Sequence, residues 1–156
     1  MKIQKLFLES ERDDDLTLGL VRLTKHLPDF ELFYHINKAN DSDFARVQDL
    51  VKCAEYHDYY HNRFEAYHQE TQTCFQFISN SSYQKIQKKQ VLELFTDEEH
   101  VNYLLPNHKE VDYLIKTSDV YADFSLILQP ENLMFPIQQF LLSSNEELFQ
   151  LIQYYE

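Results

Sequence analysis

The chain has 156 residues, 44% hydrophobic and 15% aromatic, enough for one packed core and short for two domains. Its net charge of −12 repels phosphate backbones and disfavours autonomous nucleic-acid binding, and the basic cluster Lys85, Lys88 and Lys89 is too small to reverse that field. One glycine, Gly19, excludes phosphate-cradling loops, dinucleotide fingerprints and nucleophile elbows, which need glycine wherever backbone approaches ligand or turns sharply.

Taken in chain order, residues 2–9 alternate Ile3, Lys5 and Phe7 with Gln4, Leu6 and Leu8, which predicts a strand partly apolar on both faces. A charged turn containing Asp13, Asp14 and Asp15 follows. Residues 16–23 alternate again, and the two strands are expected to pair as a hairpin. Pro28 and Asp29 open the clearest helix, with Phe30, Phe33 and Ile36 at helical spacing, ending near Ala39 and Asn40. Residues 44–56 fit either a helix through Phe44, Val47, Val51 and Ala54 or a strand over 44–50, and both readings stand. Residues 63–69 and 73–79 read as a hairpin, Asn80 to Ser82 as a turn, and 91–95 as a short strand.

The segment HVNYLLPNHKEVDYLIK, residues 100–116, is read as a central antiparallel hairpin. Val101, Tyr103 and Leu105 alternate before Pro106, and Val111, Tyr113 and Ile115 alternate after it. That pattern would set Tyr103 opposite Tyr113 on a shared face. A helix starting at Pro106 competes, but both arms alternate, and Val, Ile and Tyr favour strands. Beyond Lys116, Ser118 or Asp119 is expected to cap a helix through Val120, Phe124, Ile127 and Leu128, stopped before Pro130. Residues 133–142 are apolar and extended, with Pro136 placing them at an edge or bulge. Asn145, Glu146 and Glu147 are expected to open a last helix through Phe149, Leu151 and Ile152.

Leu105, Pro106, Asn107, three residues and then Val111, Asp112, Tyr113 resembles the signature of small bacterial proteins called the IPExxxVDY family. Leu105 replaces Ile, and Asn107 stands where that family has Glu. The aromatic segment FELFYHINK, residues 30–38, is similar to a second stretch of the same family. The resemblance implies a compact single domain, and it supplies no mechanism.

One string invites a metal: His57 and His61 would share a helix face and could hold one zinc, with Glu65 or His68 as a third ligand. Against this, Asp58 is a methylene shorter than the usual general-base Glu, and a loop with adjoining strand is the expected setting. Cys53 and His57 are also four apart, a spacing that could activate a thiolate, although an apolar-flanked cysteine is more often inert. His35 reads as a surface or boundary histidine. Asp112 is expected either to accept backbone N–H groups of the 106–110 loop or to contact a partner together with Tyr113. Asp97, Glu98 and Glu99 read as solvated loop acids available to a partner.

The chain is therefore expected to be one α+β domain over residues 1–156, a largely antiparallel sheet with helices 28–38, 119–129 and 145–154 packed on one face. Cys53 and Cys74 make no disulfide scaffold, no apolar leader follows Met1, and no run reaches membrane-spanning length, so a cytoplasmic setting is expected. The expected role is non-enzymatic binding of a basic protein, without cofactor. The alternatives are a metal-dependent hydrolase using His57 and His61, or an accessory factor of an RNA-processing protein acting through such a partner.

Overall fold

Leucine alternation makes β1 (Leu16–Val21) a strand covered on both sides. The computed structural model describes residues 15–54, 57–87, 101–119, 122–130 and 132–155. After β1 come α1 (Asp29–Asn40), β2 (Ala45–Cys53), β3 (His57–His68), β4 (Thr73–Ser79), β5 (Tyr83–Gln87), β6 (Tyr113–Thr117), β7 (Gln138–Leu142) and α2 (Glu147–Tyr154). All strand pairs are antiparallel, in the order β2-β3-β4-β6-β1-β7. The twelve-residue β3 also pairs β5 through its first residues. The class is α+β, and the described residues form a single domain around one sheet.

Side-chain alternation sorts the core into two layers. Phe64, Phe75, Phe77, Tyr113, Ile115 and Val21 point to one face, where α1 lays Leu32, Phe33 and Ile36 on them. Phe33 stacks on Phe64 with centroids 3.9 Å apart and meets Phe77 edge-on at 5.2 Å. Leu18, Leu20, Leu50, Ile78 and Leu114 point to the other face, under Ile152 of α2. The helices thus lie on opposite faces, correcting the expectation of a single helical layer: β1 and β6 are apolar on both sides, and each side requires a cover. At Gly19 there is no room for a side chain, since a Cβ would come within 2.9 Å of Ile137 Cγ2 and 3.2 Å of the Phe124 ring.

The helix at 28–38 is found as α1, and the ambiguous 44–56 stretch is strand β2, with Leu50 fully buried. The 63–79 hairpin is present, its first strand beginning at His57. Residues 133–142 end in β7, at a sheet edge. In α2 the N-cap is Glu146, with no side-chain capping bond from Asn145. The predicted strands at 2–9 and 91–95 lie outside the described residues.

Two expectations fail for identifiable reasons. The central hairpin does not form: Tyr103 bridges Ser81, whereas Tyr113 lies opposite Val21 and Ser79. The buried Asn80 side chain accepts from Leu105 N at 2.9 Å and donates to the carbonyls of His108 and Val111, each at 2.9 Å. These bonds fold 104–111 into a compact loop, so the two arms serve different neighbours. The helix over 119–129 is also not seen, and Phe124–Leu126 is a short 3-10 turn capped by Asp123. Asp119 instead accepts from the Thr73 hydroxyl at 2.7 Å, and Asn40 binds the Leu128 backbone on both its N–H and C=O. Side chains here offer the backbone partners that a helix would otherwise provide.

Candidate functional site

The last turn of α1 builds one wall of a cleft. Asn37 accepts from Phe44 N at 2.7 Å and donates to Phe44 O at 3.1 Å, pinning the segment after the helix. Asn40 does the same for Leu128, at 2.6 Å and 2.9 Å. Asp41 takes a left-handed conformation, φ 51°, as its N–H closes the helix on Asn37 O. Between these walls and the β3–β4 turn lies a cleft of about 720 Å³, floored by Phe44, Ala66, Phe75 and Ile127. Its rim carries Asp41, Asp43 and Glu70, and Tyr67 and Leu128 stand 56% and 60% exposed at its mouth. The carbonyl end of α1 adds negative potential on the same side. The arrangement suits a cationic group flanked by apolar surface. Asn37 and Asn40 were missed as site builders, and their signal was two amides in the last turn of a helix.

The residues singled out by sequence are dispersed. Asp112 Oδ2 accepts from Leu23 N at 2.8 Å, so it fastens the end of β1 and not the 106–110 loop. Tyr113 is buried between Phe33 and Phe77, and burial, followed by the charges of Asp29 and Asp112, raises its phenol pKa. Only 7% of it is exposed, which leaves little of the side chain to meet a partner. Leu105 and Val111 are buried as well, so the motif residues that carry the family resemblance mostly hold structure. Asp97, Glu98 and Glu99 lie outside the described residues.

The zinc geometry needed a helix, and β3 is a strand. Four residues along a strand separate the backbone positions by about 13 Å, so the one-turn spacing that such a pair of ligands requires is absent. His61 is fully buried; its Nδ1–H donates to Ser79 O at 2.9 Å, and its Nε2 accepts from Asn102 Nδ2 at 3.2 Å. Both ring nitrogens are thereby occupied. Burial, the largest influence, lowers its pKa to about 4 and keeps the ring neutral. Glu65 accepts from the Cys74 thiol at 3.0 Å, and His68 pairs with Thr71. Among the described residues no three His, Cys, Asp or Glu side chains converge on a metal position. Cys53, expected to be inert core, is exposed at the end of β2, and His57 begins the next strand, so no helix joins them.

On the opposite face, Arg63, Glu65, Cys74, Gln76 and Lys116 line a second pocket of about 540 Å³ beside Tyr155. Arg63 Nε donates to Gln48 O at 2.7 Å, filling the bulge where β2 and β3 slip register. Among the described residues no helix is long and apolar enough to cross a membrane. Comparison with protein-family models, with curated proteins and with solved structures finds no match to this chain.

Proposed function

We propose that this chain is a non-enzymatic interaction module that receives a basic segment of a partner protein in the cleft at the end of α1. The observation that carries this reading is the combination of an acidic rim, Asp41, Asp43 and Glu70, with an apolar floor and two exposed apolar side chains at its mouth. The net charge of −12 extends the same attraction over the surface and speeds encounter with a positive partner. Nucleic-acid-binding proteins carry such basic surfaces, so a role as accessory to an RNA-processing protein in the cytoplasm falls within this proposal. Membership of the IPExxxVDY family, supported by the 105–113 string, is part of the same proposal.

The test uses a fluorescent peptide in which Lys and Arg alternate with Leu and Phe, followed by anisotropy across a salt series. Affinity is expected to fall about tenfold or more from low to physiological salt. The double reversal Asp43→Lys and Glu70→Lys should abolish binding with the fold intact, and a triple reversal at Asp97, Glu98 and Glu99 should weaken it. Binding indifferent to both salt and the cleft reversals would refute the proposal.

A further inference from the structure

The main sheet ends in β2 on one side and β7 on the other, and the chain treats these two edges differently. A strand edge presents unpaired N–H and C=O groups that invite another strand, and folded proteins blunt it with charges, bulges or covering side chains. On β2 all three are present. Arg46, Asp49 and Lys52 put charge along it, with Arg46 and Asp49 paired at 3.1 Å. A bulge breaks its register between Val47 and Leu50, and the Tyr155 hydroxyl accepts from Val51 N at 3.0 Å. A backbone donor that would face an incoming strand is therefore already taken.

β7 carries none of these devices. Its five residues, Gln138–Leu142, pair with β1 in unbroken register, and residues 132–145 hold no charged side chain in a chain that is 26% charged. Among the described residues no strand pairs with its outer side. Phe140 and Leu142 point into the α2 layer, so Gln139 and Leu141 point to the other face, where Leu141 stands 64% exposed. An open leucine on a regular, uncharged edge is a ready seam for a second strand.

We infer that β7 pairs antiparallel with β7 of a second copy of this chain, about a two-fold axis at Leu141, so that one sheet runs on through both copies. The neutrality of the strand selects this occupant. In the two-fold arrangement Leu141 meets its own counterpart, Phe140 meets Leu142 and Gln139 meets Ser143, so no charge faces another across the seam. A basic segment of the kind proposed for the α1 cleft would find no acid along β7.

The seam is short, five residues per copy against the roughly 20–30 of a stable interface, so the dimer is expected to form with a Kd of about 0.1 mM. Each copy carries a net charge of −12, and that repulsion opposes association until salt screens it. Dimerisation therefore strengthens with salt, the reverse of what is expected for a basic partner, and the two proposals fail separately.

The experiment is sedimentation velocity of the full chain from about 5 µM to about 1 mM, at about 50 and about 500 mM sodium chloride. The mean mass should rise from monomer toward dimer over that range, with association about threefold or more stronger at the higher salt. Leu141→Lys sets two cations against each other at the axis and should weaken association about tenfold or more. The position is exposed, so this variant should keep the wild-type far-UV circular dichroism; Gln139→Lys, on the same face, serves as a second variant if it does not. Gln48→Lys makes the same change of charge on the β2 edge and should leave association as it is. A monomer at every concentration would overturn the inference, because the edge is then bare or covered from within its own chain. Full association in both β7 variants would place the contact elsewhere and overturn it too, as would association that weakens with salt or is lost in Gln48→Lys.

Discussion

Asn80→Ala should be among the most damaging single substitutions in this chain. The side chain is fully buried and makes three hydrogen bonds, accepting from Leu105 N and donating to His108 O and Val111 O, each at 2.9 Å. Each such bond contributes about 1 kcal/mol net, and truncation strands two backbone groups, at Leu105 and Val111, away from water at about 1–3 kcal/mol apiece. Partial relaxation of the 104–111 loop offsets some of this, so a loss of about 3–5 kcal/mol is expected. Folded domains hold only about 5–15 kcal/mol in total, so the variant should be marginal. The assay is equilibrium urea unfolding followed by far-UV circular dichroism, with the slope checked for two-state behaviour. Asn80→Asp keeps the acceptor, removes both donors and sets a carboxylate against two carbonyls, so it should be at least as unstable. A loss below about 1 kcal/mol in Asn80→Ala, at unchanged slope, would refute the reasoning.

Two further outcomes follow from the core and from His61. The folded pKa of His61, about 4, lies below its ordinary 6.5, so the unfolded chain binds the extra proton. Its contribution is complete above pH 6.5 and is lost as pH falls through about 4, up to about 3 kcal/mol, visible as a wild-type urea midpoint steeper in pH than that of His61→Gln. Tyr113→Ala should cost about 3–5 kcal/mol through its contacts with Phe33 and Phe77, Tyr103→Ala far less, and a double-mutant cycle between them should show no coupling. A Tyr103–Tyr113 coupling energy above about 1 kcal/mol would contradict the register found here.

The elements legible in sequence were those whose periodicity matched one local neighbour. In α1 the spacing of Phe33 and Ile36 reads directly, because a helix face needs no distant partner. The 63–79 hairpin reads for the same reason, its strands being adjacent in chain and space. The 100–116 string misled because alternation shows that a strand exists and not which strand pairs with it. Tyr113 alternates to suit β1 and β4, far away in sequence, while Tyr103 answers Ser81. Polar capture was equally hidden: Asn37, Asn40 and Asn80 look like any exposed amide until the backbone groups they bind are known. The α1 cleft and the Arg63 pocket each draw residues from three or more separate segments, and no short motif marks such an assembly.

The division of the core into two layers gives this protein an unusual optical character. The buried residues of the α1 layer include Phe33, Phe44, Phe64, Phe75, Phe77, Tyr113 and Phe124, whereas every buried member of the α2 layer is aliphatic. The chain contains no tryptophan. The near-ultraviolet signal of the fully buried rings must then come from one side of the sheet, while the other side adds only half-buried rings, Phe140, Phe149 and Tyr155, and is followed best through its methyl resonances. Loosening of one layer ahead of the other would therefore register as a mismatch between the two spectroscopies, and the native sequence already carries both reporters.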